Sequence, residues 1–356
     1  MYEESLFSAV TAALPSSRQR NGFRIGGVSV QMSGDVPADV TLGSLLEPFQ
    51  FLPSNPDIDI RVNWFDRLPA IAGDQIFDSG SVWKLSVDEN GYRFDFSVPF
   101  LGPHPYRRLL VDFDFTHAAL EMSRECFASS SYQPDPWEYP LDELLIMHRL
   151  TQEKAIELHG TGIVRPNGEA NLFVGHSGAG KSTTTRLWTS LEDVEVLSDD
   201  RIIVRRDEEP SAVRTPRQAD APAGTHGVLR LREKYASRAS RSAQDDNRDG
   251  DRTSQKYPMR MYGTPWHGEA MYASPNSAPL TRIFVLEHGH GNVITPLSPS
   301  QAVAELFARS FVPFHRHEYV ESALTFLEEV VDSVPVYRYD FEPDERAVEK
   351  IIHFHD

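Results

Sequence analysis

The sequence holds a single cysteine, Cys126. An intramolecular disulfide is therefore excluded, and such a count suits a reducing cytoplasm. Basic charge is also short. The formal net charge is -17, and Lys and Arg do not gather into one stretch. A surface of that sign repels nucleic-acid backbones, so DNA and RNA are not expected partners. No apolar run approaches a bilayer-spanning length, so no membrane segment is expected. The first residues, MYEESLFSAV, are acidic and lack a basic region followed by an apolar core, so no signal peptide is expected. Cytoplasmic localisation is the expectation.

What is present divides into two textures. Between residues 22 and 115 the segments GFRIGGVSVQM, IDIRVNW, SVWKLSVD, YRFDFSVPF and RLLVDFDF alternate or run apolar between turn residues. They predict an N-terminal β-rich domain over 1–135, with no chemical constellation of its own. The stretch SSSYQPDPWEYP interrupts the chain. A helix follows, with Leu144, Leu145, Met147 and Leu150 on one stripe. From there the pattern is α/β, and a second domain is expected over 136–356. The strand IELHGTGIV turns at RPNGEA into NLFVG, and the helix KSTTTRLWTSL follows a glycine-rich loop. Next come the strands VEVLS and RIIVRR. Within 207–258 the stretch ASRASRSAQDDNRDGDRTSQK carries no large apolar residue, which predicts a disordered insertion. Beyond it lie MYGTPWHGEA, a strand LTRIFVLEH, a helix SQAVAELFARSF, a helix YVESALTFLEEVVDS, a strand VPVYRYDF and a last helix ERAVEKIIHF.

The chemistry concentrates in LFVGHSGAGKSTT, residues 172–184. Gly175, Gly180, Lys181 and Ser182 have the full spacing of a phosphate-binding loop, with a strand before it and a helix after. Glycines let successive backbone N–H groups turn toward an anion, and the helix N-terminus adds its positive end. Gly175, His176, Ser177, Gly178, Ala179, Gly180, Lys181, Ser182 and Thr183 are the candidate nucleotide-binding residues. Lys181 would bridge the outer phosphates, and the Ser182 hydroxyl would sit on Mg²⁺.

Asp199 and Asp200 end the strand after the loop's helix. Two such carboxylates divide naturally between holding Mg²⁺ and accepting a proton from an attacking hydroxyl. A turn and a cap would use the same residues. A transporter-type Leu-Ser-Gly-Gly signature is absent. The nearest string, Leu297 to Gln301, lacks both glycines and opens a helix. An Asn-Lys-x-Asp guanine-reading motif is also absent.

LHGTGIV, FVGHSGAGKST, VLSDDRIIVR and YGTPWHGE together resemble the HPr kinase-like proteins, bacterial serine kinases that share a nucleotide-binding core with phosphoenolpyruvate carboxykinases. The resemblance covers about 135–356 without the insertion. The N-terminal β region also looks like that found ahead of the kinase core in related proteins. The fold expected is α/β (α+β), a P-loop core with an N-terminal β-rich domain. The resemblance implies ATP and Mg²⁺, with Ser182 and one of Asp199 and Asp200 as metal ligands. The other aspartate would be the base. It also gives His159 a place near the acidic pair, where a buried strand histidine is the plain alternative. The Arg-Gly-Leu-Gly-type signature of true HPr kinases is missing, and YGTPWHGE stands about where it is expected. The carboxykinase substrate residues are missing too.

The function expected is transfer of the γ-phosphoryl group of ATP to a seryl hydroxyl of a small protein or peptide, with Lys181, Asp199, Asp200 and His159 as catalytic candidates. An ATP-binding module without transfer, or a small-molecule kinase, is the alternative. Kinases of the resembling family form hexamers, and the extra lobe and insertion leave homo-oligomerisation open. Thr264, Trp266, His267 and Glu269 are candidates for a substrate mouth. The histidine pairs 288/290, 315/317 and 353/355 fit no standard zinc spacing and are expected in solvent-facing strands and loops. Arg282 and Arg309 could approach phosphate, with surface ion pairs the default expectation, and Cys126 is expected to be inert.

Overall fold

The computed structural model describes residues 20–34, 42–127, 135–207 and 259–355. The expected disordered insertion lies outside the described residues, apart from Asp207. The architecture is mixed α/β, with two sheets and, among the described residues, six α-helices.

The first sheet has eight strands: β1 (Arg20–Ile25), β2 (Val28–Gly34), β3 (Ile58–Phe65), β4 (Asp74–Asp78), β5 (Trp83–Val87), β6 (Tyr92–Phe96), β7 (Arg107–Val111) and β8 (His117–Ser123). Their spatial order is β1-β2-β3-β8-β7-β6-β5-β4. Gly26 and Gly27 both have positive φ, 56° and 82°, which closes the β1–β2 hairpin with the twist that suits antiparallel strands. β3 is parallel to both β2 and β8, and the other neighbours are antiparallel. Period-two alternation puts Tyr92, Phe94 and Phe96 inward, with Arg93 and Asp95 on the other face.

Two of these strands do not show in the sequence pattern. β4 is exposed throughout and sits at the edge, bracketed by Asp74 and Asp78. β8, HAALEMS, is rich in helix formers. It is a strand because it fills the place between β3 and β7, where pairing on both sides outweighs local preference.

Two helices follow, α1 (Arg124–Phe127) and α2 (Leu141–Leu150). Leu141, Leu144, Leu145 and Leu150 of α2 pack into the core of the first sheet, and Ile203 and Trp266 from the later chain join the same cluster.

The later elements are β9 (Ala155–Val164), β10 (Ala170–Val174), α3 (Lys181–Leu191), β11 (Glu195–Ser198), β12 (Arg201–Arg206), β13 (Met259–Tyr262), β14 (Ser277–Pro279), β15 (Arg282–His288), β16 (Val293–Pro296), α4 (Pro299–Phe307), β17 (Ser310–Phe311), α5 (His317–Ser333), β18 (Val336–Phe341) and α6 (Glu345–Ile352). They form a ten-stranded sheet in the order β14-β13-β12-β9-β10-β15-β18-β16, with β11 and β17 also paired to β9. β10, β15 and β18 are parallel and run at its centre.

Those central strands are apolar on both sides because both sides are covered. Leu172, Val174, Ile283 and Val285 pack with Leu306 of α4 and with Phe326, Leu327 and Val330 of α5. Phe173, Phe284 and Tyr339 pack with Trp188 of α3 and with Val348 and Ile351 of α6. The helix expected through Phe311 stops at Phe307. Ser310 and Phe311 instead pair with Leu158 and Glu157 of β9, which ends the helix and adds a short strand.

Candidate functional site

The site forms where β9 passes between β10 and β12. Gly175, just past β10, donates its N–H to the His159 carbonyl at 3.3 Å. On the other side, Gly160 donates its N–H to the Asp200 carbonyl at 3.0 Å. One strand thus holds the start of the glycine loop and the acidic pair a strand's width to either side of itself.

The loop from Gly175 to Gly180 links β10 to α3. A Cβ at Gly175 would lie 2.7 Å from that of Ala179, and a Cβ at Gly180 would lie 2.8 Å from the Phe341 ring. Gly178 and Gly180 have φ of 84° and 104°, in the region that favours glycine. His176 and Ser177 are exposed at the crest, Ala179 is buried beneath it, and Ser182 and Thr183 are half-buried in the first turn of α3. Thr161 of β9 and Thr185 of α3 join by their hydroxyls at 3.0 Å, which ties the helix to the strand.

Lys181 is only 7% exposed. Its Nζ donates to the carbonyls of Gly175 and His176 at 3.0 and 3.1 Å. Burial pushes its pKa down to about 8, helped by the charges of Arg201 and Arg309 and opposed by Asp200. The Asp200 charge thus reaches Lys181.

The two aspartates are held differently. Asp199 is buried, and its carboxylate accepts the backbone N–H groups of Gly268 at 3.0 Å, Ala270 at 2.8 Å and Tyr272 at 3.2 Å. It organises the segment after the insertion. Asp200 is half-buried, with Oδ1 2.9 Å from Nε2 of His159 and Oδ2 accepting from Nη1 of Arg201. Burial alone would raise its pKa. The His159 hydrogen bond and the charges of Arg201, His159 and Lys181 outweigh burial and hold the carboxyl below its ordinary value.

His159 thus faces Asp200, with its ring 6.0 Å from that of Phe311. The structure brings Lys181, Asp200 and His159 together, while Asp199 turns toward the 268–272 backbone.

Sequence reasoning missed the groups behind Asp200. Nε of Arg201 donates to Glu143 of α2 at 2.9 Å and lies 3.3 Å from a carboxylate oxygen of the buried Glu157, and the guanidinium sits 4.0 Å above the Phe311 ring. Burial raises the Glu157 pKa well above its ordinary value, and the neighbouring Glu143 carboxylate adds to the effect. No motif signals this, because α2 is remote in sequence.

The substrate-mouth candidates separate. Thr264 donates to the Arg201 carbonyl at 2.8 Å. The indole N–H of Trp266 donates to Asp142 at 2.8 Å, and its ring joins the first sheet's core. His267 is half-buried and Glu269 is exposed.

Arg309 pairs with Glu287 at 3.1 Å and with Glu305, and its charge reaches Lys181. Arg282 starts β15, at the end away from the loop, and pairs with Glu169. Cys126 is a free, half-buried thiol packed against the first core.

One of the paired histidines departs from the expected solvent-facing placement, and an exposed one makes a contact the sequence does not show. His315 packs against His148, with ring centroids 5.2 Å apart, and burial lowers its pKa to about 4. His288 is exposed, yet its Nε2 lies 2.7 Å from the carbonyl oxygen of Gly178 in the loop.

Among the described residues, no three His, Cys, Asp or Glu side chains group as metal ligands. Mg²⁺ needs no such group, since one or two carboxylates and substrate phosphates complete its shell. No helix among the described residues is long and apolar enough to cross a membrane. No family model matches this chain, and no curated protein matches it.

Proposed function

We propose that this chain is an ATP-dependent serine kinase of the HPr kinase-like type, with a small protein or peptide as acceptor. The observation that carries the reading is the placement of Gly175 and Asp200 on either side of His159 and Gly160. That placement supports a reading in which a phosphate cradle and a carboxylate act on one bound group.

The residues present suit ATP and Mg²⁺. The loop glycines leave no room for side chains at 175 and 180, so the backbone can close on an anion. Among the described residues the Lys181 ammonium is bonded only to loop carbonyls, the weak partners that phosphate oxygens would replace. The Ser182 hydroxyl would sit on Mg²⁺. Asp199 already accepts three N–H groups, which leaves about one of its lone-pair directions. Bound Mg²⁺ would supply neutralising charge at the phosphates.

The chain's own residues have the remaining work. Lys181 stabilises charge on the transferred group. Asp200 orients the attacking hydroxyl and takes its proton. Its low pKa suits orientation more than early proton abstraction, and phosphoryl transfer through a loose transition state requires little early abstraction. His159 holds the carboxylate in place and shares the arriving proton's charge.

The test is incubation of the protein with γ-labelled ATP and Mg²⁺ in lysate of its source, beside Lys181→Ala. Label on one discrete peptide or protein, lost with the variant, is the expected result. Full transfer by Lys181→Ala would overturn the mechanism. Tight ATP binding with label on no macromolecule or metabolite would replace the kinase with a nucleotide-dependent binding module.

A further inference from the structure

His288 is the last residue of β15, beside the loop in the parallel part of the sheet. The Gly178 carbonyl can only accept, so the imidazole Nε2–H donates to it at 2.7 Å. Gly178 stands at φ 84°, and among the described residues no atom beyond its own chain neighbours lies within 4 Å of where its Cβ would be. Side-chain packing therefore holds Ala179, which is buried, and not Gly178.

A trans peptide points its C=O and N–H in opposite directions. With the Gly178 carbonyl turned out to His288, the Ala179 N–H must point the other way, into the loop. It does so, donating to the His176 carbonyl at 3.1 Å, the same oxygen that Lys181 reaches. The neighbouring strand ends complete the support. Leu286 backs Gly175, Phe341 of β18 backs Gly180, and His288 pairs in register with Phe341.

We propose that His288 is a positioning residue for phosphate binding: its ring N–H holds the Gly178–Ala179 peptide so that the Ala179 N–H, which donates to the His176 carbonyl, stays in the loop interior, where a nucleoside di- or triphosphate would replace that carbonyl. The inference rests on reading the 175–183 loop as a nucleotide cradle. His288 touches the loop backbone and not the ligand, so its effect is on affinity. Without the brace the peptide keeps only the Ala179–His176 hydrogen bond of these two, and once phosphate takes the N–H its C=O side is unheld and the donor is less well aimed.

The experiment is calorimetric titration of ATP with Mg²⁺ into the native protein, His288→Phe and His288→Gln, with thermal unfolding of each in the absence of nucleotide. His288→Phe keeps a ring and removes the donor, while His288→Gln keeps an N–H at similar reach. The expected result is a loss of about fivefold or more in affinity for His288→Phe. His288→Gln should stay near native, and all three should unfold at one temperature without ligand. Native affinity in His288→Phe, or equal loss in both variants, would overturn the brace and leave the nucleotide reading standing. Failure of the native protein to bind ATP would overturn that reading and the brace with it.

Discussion

His159 and Asp200 are 41 residues apart in the chain, and the imidazole Nε2 of one lies 2.9 Å from the carboxylate Oδ1 of the other. The antiparallel pairing of β9 with β12 produces the contact, since Arg201 stands opposite His159 in register and Asp200 immediately precedes it. The carboxylate is also within the field of Lys181. Under the proposed function, Asp200 is therefore the member of the acidic pair that would meet a phosphate.

Asp200→Asn should reduce phosphoryl transfer by about 10²–10⁴-fold while leaving ATP affinity within about tenfold of native. Arg201 would keep Glu143 and Glu157, so the fold should hold. Transfer assays beside equilibrium ATP binding check this. Native transfer rates in Asp200→Asn would remove the residue from the mechanism.

Asp199→Asn should behave differently. An amide NH₂ at either carboxylate position would face a backbone N–H of Gly268, Ala270 or Tyr272. The expected cost is ~2 kcal/mol, seen as a fall in Tm of about 4 °C or more. Thermal unfolding measures it. A variant as stable as native, with transfer alone lost, would make Asp199 the chemical residue instead.

Gly180→Ala would place a Cβ 2.8 Å from the Phe341 ring at a φ of 104°. Strain of ~1–3 kcal/mol should displace the loop from α3 and abolish measurable ATP binding. Titration of ATP into the variant, with circular dichroism to show that the sheets persist, is the check.

Stability should fall with acid through the His148–His315 pair. Burial, then the neighbouring His315, lowers the His148 pKa to about 3, and burial with Arg316 lowers that of His315 to about 4. Both titrate near 6.5 when unfolded, so between roughly pH 6.5 and 4 the unfolded chain binds more protons. Stability is fully present above that window. It is lost as pH falls, at ~1.4 kcal/mol per pH unit for each histidine. Asp142 opposes this. Burial raises its pKa to about 6 against the Trp266 hydrogen bond, so its contribution grows as pH drops from about 6 toward about 4. The comparison is therefore with His148→Phe, whose urea-unfolding free energy should depend less steeply on pH. Equal slopes would mean that His148 is not held neutral.

The strand-loop-helix around Gly175 to Ser182 was legible because its requirements are local. Each glycine answers to its own backbone angle or to an adjacent residue, and β10 and α3 follow from short apolar patterns. β8 was not legible, because its helix-forming residues are strand only between β3 and β7. Neither was β17, which exists because β9 offers an edge beside Leu158 and Glu157. In the site, Asp199 and Asp200 look equivalent in the sequence. Their difference comes from what surrounds them, three backbone N–H groups for one and His159 with Arg201 for the other.

By itself the sequence determined which groups are available: a glycine loop able to wrap an anion, a lysine, a serine and two carboxylates on an acidic chain. Only the tertiary structure decided how they divide. β9 draws the loop and the acidic pair to its two sides, α2 supplies Glu143 behind Arg201, and β15 ends with His288 on the loop. The reason is physical. Backbone angles and apolar periodicity are properties of neighbouring residues, whereas a carboxylate's partners and a peptide's orientation depend on atoms that meet only when distant strands pair.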